Sequence, residues 1–289
     1  MASASVPVER VNGQAAGQGM ASRILLYAVL TLFALFFMLP LLWMLSTALK
    51  PAGEWLAPNW IPNNPTTQNF SAILNNPSVP VLRWFANSMA VAAIVTALTL
   101  LIDALAAYAY ARLQFRGRDA LFGLLLATLV MPAILFLVPN YLTVARLGWL
   151  NTYQGLMAVY LPNVFGVFFL RQFFQGIPKE LEEAATIDGA GIWTTFYRVV
   201  LPLAKGALAT LAIITFLGVW NDYLWPLLVM TDADKQTLPV GLATLQGAYT
   251  FEYGQLMAGS VIAALPVLVL YMLLQRYIVQ SVAMTGLKG

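Results

Sequence analysis

Apolar residues fall along this chain in long continuous runs, without the regular polar interruptions of a soluble helix or strand. Six runs recur, at residues 24–49, 85–110, 121–138, 156–174, 207–229 and 256–277. A helix that crosses a bilayer needs about 20 apolar residues, within a range of roughly 17–25. All six runs fit, allowing for loose ends. In lipid every backbone polar group needs an internal partner, so runs of this kind must be helical. The pattern therefore predicts an all-α polytopic membrane protein with six transmembrane helices, occupying residues 24–280. Residues 1–23 are rich in Ala, Ser, Gly and Gln, a composition expected to stay disordered. Residues 281–289 form a short tail. The first run is too long for the apolar region of a secretory leader and contains Pro40, which counts against cleavage.

Composition agrees with the pattern. The 289 residues are 60% hydrophobic and 9% charged, against roughly 25% charged in a soluble domain, and the mean hydropathy is +0.76. There is no cysteine and no histidine. That removes Cys/His zinc sites, thiol chemistry and imidazole acid–base catalysis, and no metal site is expected. A net charge of +3 on so few charged groups indicates neither nucleic-acid binding nor an acidic substrate. Its distribution is more informative. If both termini lie inside, eleven Lys and Arg face the cytoplasm and only Lys50, Arg83, Arg146 and Lys235 face out. Cytoplasmic loops carry the excess of cations, so both termini are expected there. Pro40, Pro132, Pro139, Pro162, Pro226 and Pro266 fall within or beside the runs, where proline kinks a membrane helix.

One stretch breaks the apolar rhythm. Residues 177–203 read IPKELEEAATIDGAGIWTTFYRVVLPL. Pro178 suits the first helical turn, and Glu180, Glu182 and Glu183 lie where the helix dipole favours negative charge. Ala184, Ala185 and Ile187 give a small, smooth apolar side, and Gly189 is a natural C-terminal stop. A second helix from Ile192 to Val200 should end or bend at Leu201-Pro202. Two short helices joined by a glycine turn, acid-rich and alanine-lined, make a docking knob. The other reading is a helix pair lying on lipid. Such helices usually carry Lys or Arg on the polar face to meet anionic lipid, whereas this stretch is acid-rich.

The spacing Glu183-Ala184-Ala185, three residues, Gly189, nine residues, Val199, one residue, Leu201-Pro202 resembles the EAA motif of permease subunits of ABC importers. Val199 stands where the family pattern has Ile. The longer phrase IPKELEEAATIDGA is similar to the maltose-type, carbohydrate-importing branch. So are Asn87-Ser88 opening the second run, WNDYLWPL from Trp220, LPVGLATLQG from Leu238, and the ending GLKG. The resemblance covers nearly everything past residue 23. It implies a bacterial-type inner-membrane protein that works with a second, homologous permease, two copies of a cytoplasmic ATP-binding subunit and an extracytoplasmic sugar-binding protein. It assigns ATPase coupling to Glu182, Glu183, Ala184, Ala185, Asp188, Gly189 and Pro202. It suggests that the outer loop at 231–254, with Leu238, Gly241, Gln246 and Gly247, reaches the binding protein; a passive connector is the alternative. It also suggests that GLKG contacts the ATPase; a frayed terminus is the alternative. No G-x-x-x-x-G-K-[ST] phosphate loop occurs in the chain. No cofactor is therefore expected here, with ATP and Mg²⁺ held by the partner.

Polar residues inside the runs are the remaining candidates. Asp103 should face the bundle interior or a watery path, since a mid-membrane carboxylate costs about 2.5–3.5 kcal/mol on insertion scales. Asn221 and Asp222, with Trp220, Tyr223 and Trp225 around them, resemble a sugar-binding surface; the alternative, favoured by the position near the outer end of the run, is an aromatic belt at a polar helix end. No Lys or Arg lies mid-span, which leans toward a neutral sugar over a phosphorylated polyol such as glycerol 3-phosphate. A stand-alone secondary transporter would show ionisable relays and often internal repeats; neither is evident. A membrane enzyme would need a convergent site, and none is visible. A structural anchor would dock a partner through the acidic loop without transport.

Overall fold

The computed structural model describes residues 20–55, 57–246 and 253–286. Among them every regular element is helical. In chain order these are α1 (Met20–Ala48), α2 (Gln68–Asn75), α3 (Val81–Arg112), α4 (Arg118–Leu129), a 3₁₀ turn (Ala133–Phe136), α5 (Leu137–Arg146), α6 (Tyr153–Ala158) and α7 (Val164–Gln175). There follow α8 (Lys179–Ile187), α9 (Ile192–Thr195), a π-turn (Phe196–Val200), α10 (Leu201–Leu203), α11 (Lys205–Trp220), α12 (Leu224–Val229), a 3₁₀ turn (Ala233–Lys235), α13 (Leu238–Gln246) and α14 (Tyr253–Gly286).

Three helices are long and apolar enough to cross a membrane alone: 22–48 of α1, all of α3, and 253–273 of α14. The other expected spans are not single rods. The run at 121–138 bends by 95° between α4 and α5. Pro132 lacks an N–H and disfavours helix at the residue before it, so Val130 and Met131 close as tight turns instead. The run at 156–174 is broken at Val159–Asn163, beside Pro162. Asn163 restarts the chain as α7, its side chain accepting from the Gly166 N–H at 3.1 Å. The run at 207–229 stops at Trp220 and resumes as α12 after Asn221–Tyr223. The protein is thus a polytopic helical membrane protein, and hydropathy alone had joined pieces that proline and polar residues divide. The first helix, α1, starts at Met20. Residues 1–19 and 287–289, with most of GLKG, lie outside the described residues.

α3 is the axis of the fold. It has 32 residues, about 48 Å of helix at 1.5 Å per residue, and contains neither Pro nor Gly. It packs along α7 and α11. Its buried positions, Val81, Trp84, Ser88, Val91, Val95, Thr99, Asp103 and Ala107, recur every three or four residues, the spacing of one helix face. This face serves two separate cores. At one end Trp84, Val91 and Val95 pack with Trp220, Trp225, Leu238 and Leu256. At the other Ala104, Ala107 and Tyr108 pack with Leu170, Phe174, Phe196 and Leu211. The α3 residues between the two cores are Thr96, Thr99 and Asp103. α1, by contrast, leaves its apolar length exposed from Ile24 to Leu42 and packs along α14.

Candidate functional site

The acid-rich stretch folds as a protruding two-helix unit. Pro178 is the residue just before α8, one position earlier than its expected place in the first turn, with φ −56° and ψ 131°. α8 closes with Gly189 at φ +83°. The Gly189 N–H donates to the Thr186 carbonyl at 3.0 Å and the Ala190 N–H to the Ala185 carbonyl at 2.9 Å. This is the doubly bonded glycine stop that satisfies the last carbonyls of a helix. The second helix ends one residue past Leu201-Pro202. It runs as α9, a π-turn and α10 through Leu203, and the chain then turns by 76° into α11. Pro202 sits in that final turn, where its missing N–H coincides with the widened hydrogen-bond pattern before it.

None of the α8 side chains is fully buried. Glu183, Ala184, Asp188 and Gly189 are exposed, and Ala185 is half-buried. Ile187 is 86% exposed and Trp193 64%. Trp193 stacks on Tyr197 at 6.3 Å, extending an apolar and aromatic strip beside the acids. An exposed patch of this kind marks an interaction surface.

Glu182 behaves differently from its neighbours. Its carboxylate turns inward to the end of α3 and meets Arg112 Nε at 2.5 Å, with the two side chains 15% and 7% exposed. The Tyr108 hydroxyl lies 3.4 Å from the other carboxylate oxygen. Arg112 Nη2 also donates to the Ile177 carbonyl at 2.6 Å, fixing the entry to α8. Breaking one side of a buried pair costs about 3–5 kcal/mol. Around this clasp lies an open groove of about 690 Å³, walled by Gln114, Arg118, Gln175 and Lys179 on one side and Glu183, Thr186 and Ile192 on the other. The resemblance had grouped Glu182 with its neighbours as a coupling residue, whereas the structure turns it toward Arg112. Its partner, 70 residues earlier, gave no signal beyond being a cation at the end of a run.

At the far end of α3 the Asn87-Ser88 pair acquires a structural role. Asn87 Nδ2 donates to the carbonyls of Asp234 and Gln236, both at 2.9 Å. Its Oδ1 accepts from the Tyr153 hydroxyl at 2.8 Å. Ser88 Oγ accepts from the Leu238 N–H at 2.8 Å, and Trp84 Nε1 donates to the Ala233 carbonyl at 2.7 Å. The expected mobile outer loop is therefore pinned from Ala233 to Leu238. Beyond it the chain is helix, not loop, through Gln246. Leu238 is fully buried. Gly241 lies against Trp84, where a Cβ would come within 2.2 Å of the indole ring. Neither residue presents a surface in this conformation. The Gln246 side chain and Gly247 lie outside the described residues.

The candidate pathway residues separate. Trp220 is 2% exposed, stacked on Phe216 at 5.9 Å and edge-on to Phe85 at 5.6 Å, and its Nε1 donates to the Ala263 carbonyl. It is core, not a stacking face for a ligand. Asn221 is exposed and Asp222 half-exposed, at the break between α11 and α12. The Tyr160 hydroxyl, in the break between α6 and α7, donates to Asp222 Oδ2 at 2.6 Å. Trp225 Nε1 donates to the Leu156 carbonyl at 3.1 Å. The two interrupted helices are thus tied break to break, a link that no sequence spacing announced. Asp103 is fully buried, with no hydrogen-bond partner for either oxygen among the described residues. It abuts the first turn of α7 at Gly166, where a Cβ would fall 1.9 Å from its Oδ2. It faces the bundle, as an intramembrane acid should. Among the described residues no group of three or more Asp or Glu is placed to hold a metal ion.

Comparison with known proteins places the chain in a family. Residues 104–284 match the family described as binding-protein-dependent transport system inner membrane component. The diacetylchitobiose uptake system permease protein NgcG of Streptomyces coelicolor is 36% identical over 262 residues, covering 89% of this chain and 86% of that one. The trehalose/maltose transport system permease protein MalG of Thermococcus litoralis is 33% identical over 273 residues, covering 92% and 97%. A chain from the crystal structure of a bacterial ABC transporter that imports the acidic polysaccharide alginate superposes with a TM-score of 0.79 over 90% of this chain and 99% of that one. At 23% identity it shows the fold. This chain belongs to the binding-protein-dependent transport system inner membrane component family: it is a multi-pass permease subunit of an ABC importer, and not an enzyme.

Proposed function

We propose that this chain forms half of the transmembrane pathway of a sugar importer, with six crossings, both termini in the cytoplasm, and α8–α10 seated on a separate ATPase. A second homologous permease would complete the pathway, two ATP-binding subunits would drive it, and an extracytoplasmic sugar-binding protein would deliver substrate. ATP and Mg²⁺ belong to the ATPase in this reading, because the chain carries no phosphate loop. Pieces such as α4–α5 and α6–α7 count as interrupted crossings. The observation that carries the docking is the exposed face of α8, where Glu183, Ala184, Ile187 and Asp188 project with no partner element over them among the described residues. Sugar as cargo rests on the relatives, whose names specify diacetylchitobiose and trehalose/maltose. Glycerol 3-phosphate is not favoured by them. The polar break at Asn221 and Asp222 is where broken helices would offer hydrogen-bonding groups to a hydroxylated substrate.

Affinity purification of the tagged chain in mild detergent from its native host tests the assembly. Recovery of a second permease and an ATPase, lost on altering 183–189, is the expected result. Recovery of the chain alone, competent for ATP-independent uptake in proteoliposomes, would overturn it in favour of a secondary transporter. Thermal-shift screening of the associated binding protein against sugars and glycerol 3-phosphate would then assign the cargo class.

A further inference from the structure

We propose that the polar layer between the two cores of the bundle is a binding site for a monovalent alkali cation, with Asp103 as its charged ligand and the hydroxyls of Thr96, Thr99 and Thr215 beside it. Four observations converge. First, Asp103 is fully buried on α3, and neither of its oxygens has a hydrogen-bond partner among the described residues. None of the ion pairs among those residues includes it. An isolated carboxylate in an apolar interior is too costly to persist as a bare charge, so it takes up a counter-charge. Second, the three threonine hydroxyls are buried and unpartnered among the described residues. That is not the habit of this chain. Thr143, Thr186 and Thr210, also in helices, turn their hydroxyls back onto the carbonyls of Pro139, Glu182 and Gly206, four residues earlier, at 2.8–3.0 Å. Thr96, Thr99 and Thr215 forgo that local bond, which leaves their oxygens available to a ligand.

Third, the four residues share one level of the bundle. Thr96, Thr99 and Asp103 are spaced three and four apart, hence on one face of α3, between Val95 of one core and Ala104 of the other. α11 packs along α3, and Thr215 falls between Leu211 of one core and Phe216 of the other. Fourth, the break between α6 and α7 reaches the same level, because Asp103 abuts Gly166 in the first turn of α7. Unwound backbone in membrane transporters supplies carbonyls that coordinate such ions. The ligand set is oxygen only, which suits a hard cation. One carboxylate balances one positive charge, which selects Na⁺ or K⁺ over a divalent ion. The start of α7 also brings the positive end of a helix dipole to this carboxylate, so the ion is held weakly. It is a fixed part of the packing of α3, α7 and α11, and its presence depends neither on the cargo nor on the docking proposed above.

The test is thermal unfolding of the complete chain, purified in mild detergent and followed by tryptophan fluorescence. Na⁺ or K⁺ replaces choline from about 1 to about 150 mM at constant ionic strength, so that general screening stays fixed. For an ion held with a Kd of about 10 mM, the midpoint should rise by about 3–6 °C across that range with at least one of the two ions. Asp103→Asn, near-isosteric with the charge removed, should flatten the response. Asp103→Ala should flatten it too and cost little at the high-salt end, because the carboxylate and its ion leave together. Thr99→Val, which deletes one hydroxyl at nearly constant volume, should move the half-response to about tenfold or more higher cation. Thr143→Val, whose hydroxyl is already bonded to Pro139, should leave the half-response where it is. A midpoint of the unmodified chain indifferent to both ions would overturn the site and leave the layer to protons and water. A shift that survives in Asp103→Asn would overturn it as well, since the ion would then bind elsewhere. Should Asp103→Asn fail to fold, Thr99→Val decides by the same measurement, and an unmoved half-response there counts against the site.

Discussion

Gly166→Ala tests whether Asp103 is wedged against α7 as tightly as the structure shows. The new Cβ would sit 1.9 Å from Asp103 Oδ2, 2.9 Å from its Cγ and 3.0 Å from Asn163 Nδ2. Ordinary contact begins near 3.4 Å, so about 1.5 Å of movement is required at the carboxylate, by the relation between contact distance and overpacking. Neither wall yields cheaply. Asp103 is fully buried on an unbroken helix, and α3 and α7 share the most extensive helix–helix contact among the described residues. Overpacking of this kind costs about 1–3 kcal/mol. The test is a double-mutant cycle with Asp103→Ala, read from SDS-titration midpoints of the purified protein in detergent. Asp103→Ala alone should cost little, because the carboxylate it deletes is buried and unpaired among the described residues. Gly166→Ala should destabilise, and the double variant should be more stable than the sum of the two by about 0.5–3 kcal/mol. Strict additivity, or Gly166→Ala without effect, would refute the wedge and mean that the first turn of α7 has room to spare.

The other predictions concern the loops and the breaks. Asn87→Ala removes two carbonyl anchors and the Tyr153 contact, so limited proteolysis within 231–237 should accelerate while the fold persists. Tyr160→Phe deletes the 2.6 Å bond to Asp222. A hydrogen bond to a charged group is worth about 1.5–3 kcal/mol, and the expected readout is altered uptake with normal membrane insertion. Gly189→Asp places a side chain at φ +83° with nothing within 4 Å of its Cβ. The cost is therefore backbone strain of about 1–2 kcal/mol, confined to the α8 stop. Insertion should be normal and uptake reduced; unchanged uptake at normal expression would remove Gly189 from the coupling role.

The apolar runs by themselves determined that this is a helical membrane protein. They also placed α1 and α3, and the start of α14, to within a few residues, because those helices are simple in the way hydropathy measures. The glycine stop at Gly189 was equally plain, since a local rule governs it. Interruptions were not, although every proline was visible. A window average counts Pro162 or Asn221 as a small dip, whereas a missing N–H or an unpaired amide ends a helix outright. Three expected spans proved to be broken for that reason. The anchoring of the outer loop was equally invisible. Its polar residues look soluble in the one-dimensional chain, but the carbonyls of Ala233, Asp234 and Gln236 are claimed by Trp84 and Asn87, some 150 residues away.

The sharpest division falls between two adjacent acids. Glu182 and Glu183 share their chemistry, their helix and their place near its positive end, and nothing local separates them. Successive side chains on a helix point about 100° apart, so one faces the bundle and one faces outward, but the sequence cannot say which. That was decided by Arg112, brought to α8 by the packing of α3 against α7. A carboxylate beside a half-buried guanidinium gains a charge-assisted bond that solvent would otherwise dilute. Composition and local motif therefore set the membrane, the helices and the turn. Only the tertiary contacts, by choosing which side chains leave water together, made one glutamate an anchor and left its neighbour exposed.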